Sequence, residues 1–227
     1  MIRKNILCLF VSFIAFHPYS EEVEKAVKLL KNEKSTVLQI KNTSNTEGSE
    51  ALSIVFPEMI RWSAFRNMFE TKANELLYVK DGKAKADFSI GHFQMKPSFV
   101  ESLESYVESH QNLQTFSYVV ITNKTIKEAR TLRLERMKQL AWQLRYAHVY
   151  WLVAMDRFKD RKFESVRERV RFFATAYNYG FEKPEKDVEA WQKKAAFPFG
   201  SKSKVKQVSF GNLAVEFYEN FSKEFEK

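Results

Sequence analysis

Cysteine is almost absent from this chain of 227 residues: Cys8 is its only one, and it sits inside an apolar run near the N-terminus. That count excludes a disulfide framework and a cysteine-ligated metal site. Cys8 also comes before the apolar run is complete, too early for a lipoprotein acylation site. Histidine does not make up the deficit, because His92, His110 and His148 are scattered without metal-ligand spacing. No metal and no other cofactor is expected. Long apolar runs are also missing. The one from Ile6 to Phe16 is shorter than the ~20 residues a bilayer span needs. Glycine is scarce, six in all, so a glycine in a short polar stretch asks for a reason.

What is present is apolar and basic. Hydrophobic residues make up 44% and aromatic ones 15%, ample for a sizeable core and against disorder as the default. The formal charge is +9, and the chain stays basic without Arg3 and Lys4. Those two precede the Ile6 to Phe16 run, and His17-Pro18 follows it, which is the anatomy of a secretory signal. Tyr19 and Ser20 match a small-residue cleavage site only loosely, so a removed signal and a retained N-terminal anchor both stay open for residues 1–20. The expected location is outside the cytoplasmic membrane: periplasmic, envelope-associated or extracellular. A basic exported protein suits anionic polymers such as cell wall, lipid headgroups or extracellular nucleic acid.

The coarse organisation is helical. Residues 21–48 read as an N-terminal helix, with Val23, Ala26, Val27 and Leu30 at helical spacing, thinning into a linker. From Glu50 to Val79 the pattern is helical but interrupted by Pro57, which predicts a helix start or kink there. Lys80 to Pro97 reads as a small hairpin region, and Pro97 suits the first turn of a helix through His110. Residues 111–123, containing FSYVVITN, fit either a strand or a buried connector. Lys124 to Lys162 is a long helical tract, and Glu164 to Tyr179 a further helix with Gly180 at its stop position. SFGNLAVEFYENF closes the chain as an amphipathic helix. The fold class expected is mainly α with a small β-hairpin.

Three motifs stand out in order: Glu58 after an apolar helical run, S-x-G-x-F-Q-M-x-P from Ser89 to Pro97, and A-Y-N-Y-G from Ala176 to Gly180. Together they resemble the lysozyme-like superfamily, particularly lytic transglycosylases of the soluble type. There a catalytic Glu at a helix end is followed by a hairpin motif and by a helix ending in A-Y-N-x-G. The resemblance covers roughly Ser49 to Trp191 and implies a lysozyme-like α+β catalytic domain over 49–227 with a C-terminal helical extension. Four departures stand beside it. Met59 follows Glu58 where the family commonly has Ser, and Phe93 and Tyr179 replace its usual Met and Ala. Ser89 lies 31 residues after Glu58, which reads as an extra helix inserted over 59–86, a region that goose-type lysozymes also lengthen.

The resemblance implies an exported peptidoglycan-cleaving enzyme acting on glycan strands. Glu58 would protonate the oxygen between N-acetylmuramic acid and N-acetylglucosamine. As carboxylate it would then take the proton of the muramoyl C6 hydroxyl, closing a 1,6-anhydro ring. A carboxyl holds its proton near neutral pH only where apolar surroundings raise its pKa, and Phe56, Pro57, Met59 and Trp62 are its sequence neighbours. Gly91 is expected to let the backbone pass close to a sugar, and Ser89 and Gln94 to bond its acetamido and hydroxyl groups. Tyr177 is expected against the Glu58 carboxylate, with Asn178 beside it as a further substrate contact. Asp87 is the available second carboxylate if the chemistry is hydrolytic. A hydrolytic muramidase and a non-catalytic wall-binding scaffold are the other readings.

Trp62, Trp142, Trp151 and Trp191 lie at helical positions among apolar neighbours, where core packing accounts for most. The basic tract from Lys127 to Arg145 reads as the solvated face of a helix, so no nucleic acid is expected. Exo or endo action, stem-peptide preference, envelope partners and oligomeric state are not encoded in any recognisable pattern.

Overall fold

The computed structural model describes residues 19–33, 48–64, 72–198 and 207–225. The expected signal or anchor over 1–20 lies almost wholly outside the described residues. Among those residues no helix is long and apolar enough to cross a membrane.

Nine α-helices are described: α1 Ser20–Asn32, α2 Gly48–Ala64, α3 Lys72–Asp81, α4 Pro97–Ser109, α5 Ile126–Lys138, α6 Leu140–Arg157, α7 Val166–Tyr179, α8 Glu185–Gln192 and α9 Phe210–Phe221. Short 3-10 helices cover Gln111–Val119 and Ser222–Glu224. Helix α2 packs against α1, α6, α7 and α9. It is buried on nearly every face, with Leu52, Ile54, Val55, Phe56, Met59 and Ile60 all shielded from solvent. On the other side, α4 packs on α5, α6 and the first 3-10 helix, and α3 packs on α5. Helix α6 joins the two groups by touching both α2 and α4. Helix α1 buries Val23, Ala26, Val27 and Leu30 in the same core.

Several elements form for local reasons. Pro97 opens α4, where its missing N–H removes nothing a helix would use. Thr125 and Glu128 close a capping box on α5: the Glu128 amide donates to the Thr125 hydroxyl, and the Thr125 amide to the Glu128 carboxylate. Gly180 ends α7 at φ 126°, a conformation L side chains rarely adopt, and its amide donates to the Ala176 carbonyl.

Four expectations need correcting. Pro57 does not begin or break a helix, for α2 runs continuously through it. An interior proline costs about 3 kcal/mol, and burial of the surrounding apolar turns outweighs that. The hairpin is instead a four-residue turn, Gly91 to Gln94, closed by one antiparallel bridge between Ile90 and Met95. The FSYVVITN segment is neither strand nor wholly connector, since it begins as 3-10 helix. The tract from 124 to 162 divides at Gln139, whose backbone is extended (φ −95°, ψ 122°). Within the expected insertion, residues 59–64 continue α2 and α3 supplies the extra helix.

Buried charge fixes the helices to one another. Arg169 of α7 donates from Nε and Nη2 to the two oxygens of Glu50 at 2.9 and 2.7 Å, and the Trp151 indole of α6 donates to the same carboxylate. This clamps the first turn of α2 and so sets where Glu58, two turns further on, is aimed. Arg133 of α5 is held by Glu104 and by the Tyr78 hydroxyl, which ties α3, α4 and α5 together.

Candidate functional site

Glu58 lies in the C-terminal half of α2 and is 3% exposed, unlike an ordinary surface glutamate. Burial pushes its carboxyl up to about 7, offset by the charge of Arg61, a hydrogen bond from Asn178 and the charge of Lys96. Arg61 follows on the same helix face, with Nη2 at 2.7 Å from Oε2 but not aligned as a hydrogen-bond donor to it. Asn178, at the end of α7, donates from Nδ2 towards Oε1 at 3.5 Å. A carboxyl so placed is half protonated near neutral pH, and can both give and take a proton.

Asn178 is itself held. The Trp191 indole of α8 donates to its Oδ1 at 3.2 Å, and the Tyr179 ring stacks on Trp191 with centroids 4.8 Å apart. The A-Y-N-Y-G stretch therefore uses consecutive residues in different directions, Asn178 towards Glu58 and Tyr179 towards Trp191. Tyr177 is buried, and burial together with the nearby Glu58 charge holds its phenol well above the usual range. Its hydroxyl donates to the Phe93 carbonyl at 2.7 Å. It was expected against the Glu58 carboxylate; it anchors the Ile90–Met95 turn instead.

That turn is fastened from three sides. The Phe93 amide donates to Gln143 Oε1 at 2.9 Å, and Gln143 Nε2 donates to the Met137 carbonyl at 2.6 Å. Gly91 adopts φ 68°, and a Cβ there would lie 1.9 Å from Gln143 Nε2. Gln143 together with the left-handed backbone thus requires a glycine here. Gln94 closes the turn from within, donating from Nε2 to the Gly91 carbonyl at 2.8 Å. The His92 ring tilts onto Trp62, one helical turn beyond Glu58, with centroids 3.9 Å apart. Ser89 is half-buried at the edge of this turn.

Asp87 has a different task. Its Oδ1 accepts from the Ser98 amide at 2.9 Å and its Oδ2 from the Ser98 hydroxyl at 2.8 Å. It caps the first turn of α4, with one oxygen on the Ser98 amide and the other on the Ser98 hydroxyl.

The structure therefore brings Asn178 to Glu58, sets Tyr177 close enough to feel that carboxyl while it holds the Gly91–Gln94 turn through Phe93, and uses Asp87 as a cap on α4. Sequence reasoning missed Arg61, Gln143, Lys96 and the part played by Trp191. Arg61 was legible by its spacing, three residues after Glu58 on one helix face. Gln143 carried a weaker trace, a lone amide within the apolar LAWQLRYAHVYW. No group of three or more acidic, histidine or cysteine side chains able to hold a metal occurs among the described residues.

Compared with protein-family models, with curated proteins and with solved structures, the chain matches none of them.

Proposed function

We propose that this chain is a peptidoglycan-cleaving enzyme that acts outside the cytoplasmic membrane and breaks the bond between N-acetylmuramic acid and N-acetylglucosamine by lytic transglycosylation. The observation that carries the reading is Glu58: a buried carboxyl near half-protonation at neutral pH, set beside the A-Y-N-Y-G helix end, whose Tyr177 holds the Gly91–Gln94 turn. Protonated Glu58 gives its proton to the glycosidic oxygen as the bond to the muramoyl C1 breaks. The resulting carboxylate accepts the C6 hydroxyl proton as that oxygen closes on C1. One carboxyl completes the cycle because the substrate supplies the nucleophile.

Asn178 and Arg61 suit the second half of that cycle, since each favours the ionised carboxylate that the first half leaves. Asn178 offers a polar group at the site for acetamido or hydroxyl recognition, Ser89 precedes the turn as a further candidate for that recognition, and Gly91 and Gln94 serve by holding the turn. The engagement of Asp87 with Ser98 favours transglycosylation over the hydrolytic muramidase reading. The half-buried Arg61 beside Glu58 favours the non-catalytic scaffold reading to the extent that it holds the carboxyl ionised. Mass analysis of the fragments released from purified cell wall separates all three. Anhydro ends support the proposal, reducing ends the hydrolase, and no release the scaffold.

A further inference from the structure

An amide can face a carboxyl in two ways. Its NH2 group donates to the ionised form and its carbonyl accepts only from the protonated one, so the rotamer of Asn178 decides which state of Glu58 it supports. That choice is made from α8. Trp191 Nε1 lies 3.2 Å from Asn178 Oδ1. An indole N–H donates and never accepts, so the atom facing it is the carbonyl oxygen, which leaves Nδ2 towards Glu58 Oε1 at 3.5 Å. Among the described residues no other hydrogen bond engages the Asn178 side chain.

The indole is fixed in its turn. The Tyr179 ring stacks on it with centroids 4.8 Å apart and planes 21° apart, and Lys194 Nζ lies 4.7 Å from the Trp191 centroid. Tyr179 follows Asn178 in sequence, so the end of α7 that presents the amide also holds the group that orients it. The titratable groups acting on Glu58 are Arg61 of its own helix, Lys96 at the entry to α4 and Tyr177 of α7. Among the described residues none of the three bonds to the Asn178 amide, so none sets its rotamer.

We propose that Trp191 is a positioning residue for the chemistry of Glu58: its hydrogen bond locks the Asn178 amide with the NH2 group towards Glu58, so that the amide supports the carboxylate and cannot turn to support the carboxyl. The catalytic meaning of the lock rests on the wall-cleaving reading, whereas the orientation itself does not. In that reaction the lock aids release of the proton to the glycosidic oxygen and keeps the carboxylate ready for the C6 hydroxyl proton. Without the indole donor the amide turns over as Glu58 gains its proton and favours neither state.

The test is carboxyl-carbon NMR of the full chain with selectively labelled glutamate, in wild type, Trp191→Phe, Asn178→Ala and the double variant. Phenylalanine keeps a ring for Tyr179 to stack on and removes only the donor. The Glu58 midpoint should rise by roughly 0.5–1 pH unit in Trp191→Phe, the worth of one hydrogen bond to the ionised form. It should rise in Asn178→Ala as well, and the double variant should match Asn178→Ala, because an indole with no amide to orient has no effect. Arg61, Lys96 and Tyr177 are kept in all four proteins, so the comparison isolates the amide. A midpoint unmoved in Trp191→Phe overturns the inference. So does a further rise in the double variant, which would mean that Trp191 acts by packing alone.

Should Trp191→Phe fail to fold, hydrogen exchange of the Trp191 indole in wild type and Asn178→Ala serves instead. The indole proton should be protected in the first and exchange faster in the second, and equal rates overturn the inference. Digestion of purified cell wall keeps the two claims apart: if the midpoints move as expected and wild type releases no fragment, the orientation stands and the wall-cleaving reading falls.

Discussion

The Asn178 amide approaches the Glu58 carboxyl at 3.5 Å across 120 residues of sequence, and the Trp191 indole holds the other end of the same amide. Two motifs from distant helices thus meet at one carboxyl, in a site where burial raises that carboxyl to about 7.

Glu58→Gln changes the pH dependence of stability in a defined direction. A native carboxyl titrating near 7 and an unfolded one near 4.5 bind different numbers of protons between those values. Wild type is relatively most stable below pH 4.5, where both states are protonated, and loses up to ~3 kcal/mol as pH rises through 7. The glutamine variant has no such loss. Its melting temperature relative to wild type should therefore climb between pH 4.5 and 7 and level off above; a constant difference contradicts the raised value.

Arg61→Gln removes the cation beside Oε2 and should move the Glu58 titration upward, since that charge favours the ionised form. Carboxyl-carbon NMR of selectively labelled glutamate reads this directly. A downward shift, or none, means that Arg61 does not act on Glu58.

Tyr177→Phe deletes the donor to the Phe93 carbonyl and leaves that oxygen short of a buried partner. The expected loss is about 1–3 kcal/mol in chemical denaturation. Because the hydroxyl holds the turn and not the carboxyl, the Glu58 titration midpoint should move much less than it does in Arg61→Gln.

Gly91→Ala forces a Cβ into Gln143 and a left-handed backbone on a residue that resists it. It should destabilise the protein by more than ~1 kcal/mol, with part of that relieved in combination with Gln143→Ala. Strict additivity of the two changes would mean they do not meet.

The helix boundaries that were legible in the sequence are those set by local chemistry. Pro97 opens α4 and Gly180 closes α7 because the dihedral limits of those residues act wherever they occur. The break at Gln139 was not legible. It depends on the Gln143 amide reaching Met137 and on Arg136 lying over the Trp142 ring while donating to the Val119 carbonyl, contacts that exist only once α5, α6 and the 3-10 segment have packed. Pro57 does not start a helix for the same reason, since burial of α2 offsets a local penalty.

The site was half legible. Glu58, Tyr177 and Asn178 were marked by motif order, whereas the use of each side chain was not. Tyr177 turned to Phe93, Asp87 to Ser98 and Gly91 to Gln143, partners up to 84 residues away in sequence that no spacing rule supplies.

The most direct test is a paired digestion of purified peptidoglycan by wild type and Glu58→Gln, with the released muropeptides separated and weighed. Wild type should release fragments ending in 1,6-anhydro-muramic acid, and the variant should lose at least the ~10²–10⁴-fold that general acid–base catalysis contributes, while binding the wall as before. Release by the variant at the wild-type rate, or no release by a folded wild-type protein that binds the wall, would contradict the account.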